Sequence, residues 1–224
     1  MKIIITSLLR TGTAVHAQGG EWETLNDESN SLYREGRYDR AVIVAKEALT
    51  FAEKYLGPDH PAVATSLNNL AGLYGTQGDY AMAEPLYKRS LAIRENALGP
   101  DHPAVATSLN NLALLYQTQG DYAKAEPLHK RALAIWEEAL GPDHPDVSTS
   151  LNNLALLYQT QADYAKAEPL HKRSLAIWEK VLGPDHPDVA ISLNNLALLF
   201  RKTGREKEAE ALEMRAAAIG AIKR

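Results

Sequence analysis

Histidines are the residues of this sequence best suited to chemistry, and four of them recur at a constant interval. The block Gly-Pro-Asp-His-Pro occurs four times and supplies His60, His102, His144 and His186. Histidines near carboxylates can bind zinc, but all ligands must then lie about 2 Å from one ion. Residues separated by a whole repeat would lie too far apart for that. We therefore expect these histidines to make loop or helix-cap hydrogen bonds.

Two further histidines, His129 and His171, are separated by the same interval and stand at the position of Tyr87 in the preceding unit. We interpret both as partly buried packing residues.

A catalytic Ser-His-Asp relay would need a residue outside the repeat pattern, and nearly every candidate residue belongs to that pattern. No phosphate-binding loop or zincin motif occurs, and the chain has no cysteine. The sequence therefore predicts no catalysis, no metal and no cofactor.

The composition narrows the choice of partner. The chain has 224 residues, a net charge of −4 and a pI of about 6.0. A nucleic-acid or anionic-membrane binder would usually carry a basic surplus, so we expect neither partner. No apolar run approaches the length of a membrane span.

Residues 1–20 differ from the rest of the chain. Lys2 precedes the apolar run Ile3–Leu9, and small residues lead up to Ala17. These are the parts of a secretory signal peptide, although Arg10 interrupts the apolar segment. The alternative is an irregular or disordered tail. A signal peptide would predict a periplasmic or secreted protein, and a tail a cytoplasmic one.

The remainder of the chain contains several copies of one stretch. Leu109–Tyr122 returns almost unchanged at Leu151–Tyr164, with a looser copy at Leu67–Tyr80 and a weaker one at Leu193–Gly204. A period of about 42 residues is typical of proteins built from stacked repeats. The chain is therefore expected to be all-α and to contain about five repeats.

The third unit shows how each repeat would fold as two helices. Pro103 suits the first position of a helix, and Gly120 would end that helix in the left-handed conformation. Asp121 would then cap a second helix. The fourth unit has Ala162 in place of this glycine, which should cost about 1 kcal/mol if the residue is left-handed. Prolines about six residues into the second helices should bend their first turns, at Pro85, Pro127 and Pro169.

Small and aromatic residues within each unit resemble the tetratricopeptide repeat, as in the set Ala113, Tyr116, Ala125 and Ala132. The motifs Leu-Gly-Pro-Asp-His-Pro, Leu-Asn-Asn-Leu-Ala and Ala-Glu-Pro-Leu are similar to those of kinesin light chain repeats. The resemblance implies a right-handed superhelical solenoid over residues 21–220. Its repeats would cover about 21–56, 62–98, 104–140, 146–182 and 188–219. The heptad segment that joins a kinesin light chain to its motor is not recognisable, so we do not expect that role.

The resemblance also implies a peptide-binding groove lined by the first helix of each unit. In the third unit, the groove residues are those that point away from the apolar stripe of the first helix. With their equivalents, the predicted groove contains Asn68, Thr107, Asn110, Leu114, Gln117, Thr118, Thr149, Asn152, Leu156, Gln159, Asn194, Leu198, Arg201 and Lys202. Asparagine could bind the backbone of an extended peptide. It could equally join adjacent first helices and hold the repeats in register.

Leu114, Leu156 and Leu198 form a row of leucines at equivalent positions, which we call the leucine row. This row permits two interpretations as well. An exposed apolar row indicates a protein partner, but the same leucines could pack against a neighbouring helix. Arg201 and Lys202 suggest an acidic segment of that partner.

The predicted function is a protein-interaction scaffold, and we expect the protein to be a monomer. The alternatives are a self-assembling repeat protein and, more remotely, an accessory subunit of an enzyme complex.

Overall fold

The structure, a computed structural model, describes residues 20–222, and every regular element in that range is an α-helix. The first helix covers residues 20–34 (α1). It is followed by α2 (Tyr38–Tyr55), α3 (Pro61–Thr76), α4 (Tyr80–Leu98), α5 (Pro103–Thr118), α6 (Tyr122–Leu140), α7 (Pro145–Thr160), α8 (Tyr164–Leu182), α9 (Pro187–Lys202) and α10 (Glu206–Ile222). The prediction of an all-α repeat protein is confirmed for these residues. Apart from Gly20, the predicted signal peptide or tail lies outside them.

The recurring histidines begin the first helices of four repeats. The His102 Nδ1 atom accepts a hydrogen bond from the backbone N–H of Ala104 at 3.1 Å, and Pro103 occupies the first helical position. His60, His144 and His186 make the same contact at 3.1–3.2 Å. Each imidazole thus satisfies a backbone donor that has no partner within the helix. The expected role of these histidines as helix caps is confirmed.

Aspartates begin the second helices of the three central repeats. The Asp121 carboxylate accepts the backbone N–H of Lys124 at 3.3 Å, and Asp79 and Asp163 cap their helices in the same way. Near the start of α6, Pro127 stands inside a helix that continues on both sides of it. The proline removes one backbone hydrogen bond without ending the helix.

The chain divides into two compact units, at Pro100 and Asp101. In the described part of the first unit, α3 packs against both α2 and α4. Its core contains Val63, Leu67 and Ile93, with Trp22 packed against them. The Trp22 indole also donates a hydrogen bond to the Ser66 hydroxyl at 2.8 Å. Apolar contact and a few directed hydrogen bonds therefore hold this unit together.

The second unit, which begins at Asp101, contains three helical hairpins. The helices pair as α5 with α6, α7 with α8, and α9 with α10, and α6 and α8 each also pack on the next hairpin. In addition to this packing, ion pairs join the second helices of successive hairpins. The Arg215 guanidinium binds the Glu179 carboxylate, and Arg173 binds Glu137 in the same way.

The turn inside each hairpin places one residue in the left-handed region. Gly120 has a φ of 78°, and Ala162 at the same position of the next repeat has a φ of 59°. Ala162 is the non-glycine residue with positive φ in the described range 20–222. The expectation that it is left-handed is therefore confirmed, and its Cβ makes the conformation unfavourable.

Ala162→Gly should raise the free energy of unfolding by about 1 kcal/mol, because the left-handed conformation no longer meets a Cβ. Gly120→Ala, the matched control, should lower it by a similar amount. Urea unfolding followed by circular dichroism measures both changes. Equal stabilities of all three proteins would contradict the assignment of strain to this turn.

Candidate functional site

The predicted groove residues of the second unit lie on one side of α5, α7 and α9, which we call the first-helix face. Its apolar members are Leu114 (37% exposed), Leu198 (46% exposed) and Ile191 (58% exposed), with Leu156 half-buried. These helices belong to successive hairpins, and packed helices lie about 8–10 Å apart. The face therefore presents a row of accessible branched side chains.

Threonines border the leucines, and their hydroxyl hydrogens are already used. Thr107 donates to the Pro103 carbonyl at 3.3 Å, and Thr118 donates to the Leu114 carbonyl at 2.8 Å. Thr149 makes the equivalent bond to the Pro145 carbonyl at 3.2 Å. A threonine bonded in this way presents mainly its methyl group and an acceptor oxygen. These residues add apolar surface to the first-helix face.

The asparagines join neighbouring repeats. The Asn153 amide donates to the Asn110 side-chain oxygen at 3.1 Å, and Asn195 donates to Asn152 at 2.9 Å. In the first unit, Asn69 donates to Asn26 at 2.8 Å. Asn110 is only 8% exposed. These contacts support the alternative in which the asparagines hold repeats in register.

Asn194, in the last repeat, differs from its equivalents. It is exposed, and no hydrogen bond to its side chain occurs within residues 20–222. Asn68, on α3, has a partner of its own. Among the asparagines of the predicted groove, Asn194 is therefore the one whose amide is accessible and unpaired in the described chain.

The two glutamines pair with the buried histidines. The Gln117 Oε1 atom lies 3.3 Å from His129 Nε2, and Gln159 Oε1 lies 3.2 Å from His171 Nε2. Burial lowers the pKa of both histidines to about 4. Each imidazole is thus neutral at pH 7 and donates its Nε2 hydrogen to the glutamine. His129 and His171 are more deeply buried than expected, since they are 0% and 1% exposed.

In the fifth repeat an ion pair stands at the position of the glutamine–histidine pair. The Arg201 guanidinium donates to both carboxylate oxygens of Glu213, at 2.8 and 2.7 Å, and also binds Glu206. These carboxylates raise the pKa of Arg201 further above its usual value, with the hydrogen bond that Arg201 donates to Glu213 as the largest cause. The positive charge expected to attract an acidic segment is therefore largely balanced within the hairpin. Lys202 is exposed and has no ion pair within the described residues.

Two positions, one in each helix of a hairpin, recur in every repeat with the same separation of 12 residues along the chain; we call them the matched pair. The pairs are Tyr33 with Ala45, Gly75 with Tyr87, Gln117 with His129, Gln159 with His171, and Arg201 with Glu213. In the third, fourth and fifth repeats the two side chains are hydrogen-bonded to each other, and in the first and second repeats the same positions hold one large and one small residue. This pairing was not predicted from the sequence, although its signal is present when the repeats are aligned with one another.

No group of three or more histidines and carboxylates capable of holding a metal exists between residues 20 and 222. Within the same range, no helix is long and apolar enough to cross a membrane.

Comparison with known proteins gives a family match. The model described as tetratricopeptide repeat matches residues 23–96, 73–135, 105–179 and 148–220. No protein with a curated description matches the sequence.

Solved structures share the fold. The chain is similar to BtubC (BKLC) from P. vanneervenii, with 26% identity, a TM-score of 0.81, and coverage of 98% of this chain and 90% of that one. It is also similar to a kinesin light chain-like protein with nearly identical repeats from Podospora anserina. There the identity is 27%, the TM-score is 0.76, and the coverage is 91% and 97%. Pseudomonas aeruginosa pilF matches at 19% identity with a TM-score of 0.66, over 90% of this chain and 78% of that one, which shows the fold alone.

The buried histidines should make stability depend on pH. An unfolded histidine binds a proton below about pH 6.5, whereas His129 and His171 bind one only near pH 4 when folded. The unfolded chain therefore holds more protons between these values. The free energy of unfolding should fall as the pH drops from 6.5 to 4, by about 3 kcal/mol per histidine at most.

Urea unfolding of wild type and a His129→Phe/His171→Phe variant over that pH range isolates this effect. The ion-paired carboxylates are common to both proteins, so their titration cancels in the difference. A difference in stability that stays constant from pH 7 to pH 4 would contradict the buried, neutral state of the histidines.

Asn152→Ala should lower the free energy of unfolding by about 1 kcal/mol, because the amide of Asn195 loses its acceptor. Asn194→Ala is the matched control and should change stability by less than about 0.5 kcal/mol. Thermal unfolding of both variants tests this. Equal destabilisation would mean that the asparagine hydrogen bonds do not join the repeats.

Proposed function

The chain belongs to the tetratricopeptide repeat family, whose members are generally protein-interaction scaffolds, and on that premise we propose that it binds a segment of another protein on the first-helix face. The observation that carries the proposal is the leucine row. Leu114 and Leu198 are accessible on helices that also carry buried leucines, such as Leu112 and Leu196. Accessible branched side chains aligned on successive helices favour an apolar contact with a partner.

The charge distribution indicates the kind of segment. Between Thr107 and Leu198, the first-helix face consists of threonine, asparagine, leucine, isoleucine and glutamine side chains. Because Glu213 and Glu206 balance Arg201, an acidic preference would depend on Lys202 alone. The proposed partner segment is therefore largely apolar, and its backbone groups would bind the polar side chains of the face. Any acidic residue of the segment would lie near α9.

The contacts that join repeats argue against the self-assembling alternative. Head-to-tail stacking of copies would repeat the contact between second helices that Arg215 and Glu179 make within the chain. It would need an arginine in the first repeat at the position equivalent to Arg215, and a carboxylate in the last repeat at the position equivalent to Glu179. The chain has Glu47 and Ala221 at those positions. The ion pair that joins second helices could therefore not form between copies stacked in this way.

The experiment uses the full chain and a displayed library of random peptides, followed by fluorescence anisotropy with the selected sequences. Leu114→Asp/Leu198→Asp should weaken binding at least tenfold, because each carboxylate would have to lose its hydration inside an apolar contact. Val181→Asp places a charge on another accessible apolar residue, 44% exposed on α8, and should leave binding unchanged. If the double variant retains wild-type affinity, the first-helix face is not the binding surface.

A further inference from the structure

The four histidine caps depend on the protonation state of the imidazole. At each cap the Nδ1 atom accepts a backbone N–H, from Ala62, Ala104, Asp146 or Asp188, at 3.1–3.2 Å. An Nδ1 atom that accepts a hydrogen bond carries no hydrogen, so each capping imidazole is neutral with its hydrogen on Nε2. A second proton would occupy Nδ1 and remove the acceptor. Histidine is the side chain whose charge changes most readily between about pH 5 and pH 8.

Loss of the acceptor has two consequences for the start of a helix. The backbone N–H at the second helical position loses its partner. The charge of the imidazolium also stands at the positive end of the helix dipole, which is unfavourable. Both effects act in the same direction, so protonation should loosen the first turn of a helix that is capped in this way.

In α7 and α9 the residue that donates the N–H is an aspartate. The His144 Nδ1 atom lies 3.6 Å from a carboxylate oxygen of Asp146, and the distance from His186 to Asp188 is 3.5 Å. A protonated Nδ1 can donate to this carboxylate as a charge-assisted hydrogen bond. The carboxylate is also favourable at a helix N-terminus. The aspartate thus replaces the contact that protonation removes.

In α3 and α5 the same position is an alanine. Ala62 and Ala104 offer no side-chain acceptor, and neither His60 nor His102 forms an ion pair within residues 20–222. Protonation of these two caps therefore removes a contact without replacing it. The contrast is sharpest between α5 and α7, because the third and fourth repeats are otherwise nearly identical.

Some charged groups near the caps are common to both kinds. An aspartate precedes every capping histidine and adds the same charge to all four caps. An arginine of the second helix donates to the proline carbonyl two residues before the histidine at Pro58, Pro142 and Pro184. This positive charge stands beside caps with alanine and caps with aspartate, so it does not distinguish them.

Other charged groups differ between the caps, and they favour protonation where the alanine stands. Glu23 of α1 lines a cleft together with His60. On the second helices, Lys180 of α8 binds Asp143 in the loop before α7, and Glu138 of α6 occupies the equivalent position. A carboxylate favours a nearby imidazolium, whereas an ammonium opposes it. The imidazolium therefore forms more readily at the caps that have no replacement contact.

We propose that the histidine caps form a pH-sensitive device: between about pH 7 and pH 5 the starts of α3 and α5 loosen, whereas Asp146 and Asp188 hold the starts of α7 and α9. The inference is independent of the proposed function. It has a consequence for the first-helix face, because Thr107 donates to the Pro103 carbonyl within the first turn of α5. One end of that face would change with pH.

Ala104→Asp gives α5 the aspartate of α7 and tests the proposal in the full chain. The substitution should lower the equilibrium constant for unfolding by about two- to fivefold more at about pH 5.5 than at about pH 7.5, because the carboxylate gains the imidazolium as its partner. Urea unfolding followed by circular dichroism measures this constant. His129 and His171 are common to both proteins, so their titration cancels in the comparison.

The matched control carries Ala104→Asp in a His102→Asn background. Asparagine caps a helix without titrating, so the substitution should have the same effect there at both pH values. Asp146→Ala is the reverse exchange and should destabilise the protein more at the lower pH. An effect of Ala104→Asp that is independent of pH with His102 present, or a pH dependence that persists with asparagine, would overturn the proposal.

Amide hydrogen exchange locates the effect in the unsubstituted protein. The Ala106 N–H donates to the His102 carbonyl at 3.4 Å, and the Ser148 N–H donates to the His144 carbonyl at 3.2 Å. On acidification from about pH 7.5 to about pH 5.5, the protection factor of Ala106 should fall about fivefold, the worth of a helix cap. That of Ser148 should change by less than about twofold. Equal losses at the two amides would show that the aspartate does not hold the helix start.

Discussion

A single helical hairpin of this chain cannot bury all of its apolar surface, so each hairpin needs a neighbour. In the second unit, α8 packs both on its own partner α7 and on α9 of the next hairpin. Contact between apolar faces is not directional, and near-identical helices could slide past one another. Directed contacts prevent this. The asparagine hydrogen bonds fix the first helices, and the arginine–glutamate pairs fix the second helices, so the register is set on both sides of the hairpin.

The first helices carry the functional face because their residues divide between two tasks. Val105, Leu109 and Leu112 are buried and hold the hairpin together. Leu114 and Thr107 lie on the opposite side and remain accessible. A periodic helix can serve both tasks since residues three or four apart share a side. The accessible side can thus change chemistry without a change in the fold, as Ile191 shows where the second, third and fourth repeats have threonine.

Much of the fold could be predicted from local rules. His102, Pro103 and Asp121 satisfy backbone groups within a few residues, so their positions define helix ends without knowledge of the tertiary structure. The site was harder to predict because side-chain direction depends on neighbouring helices. Asn110 has the composition of a ligand-binding residue, yet its oxygen accepts from Asn153 in the next repeat. Arg201 resembles a free cation in the sequence, but it folds back onto Glu213 of the following helix. Such contacts become visible only when helices are placed side by side.

The matched pair of positions inside each hairpin has a consequence for how such a protein can diversify. Both members lie in one hairpin, so a duplication of the unit copies a working pair whole. The third and fourth repeats still carry the same glutamine and histidine, while the second and fifth carry different combinations. In the third, fourth and fifth repeats the two side chains bond to each other within their own hairpin. A lineage can therefore lengthen the array first and vary the chemistry of individual repeats afterwards, one hairpin at a time.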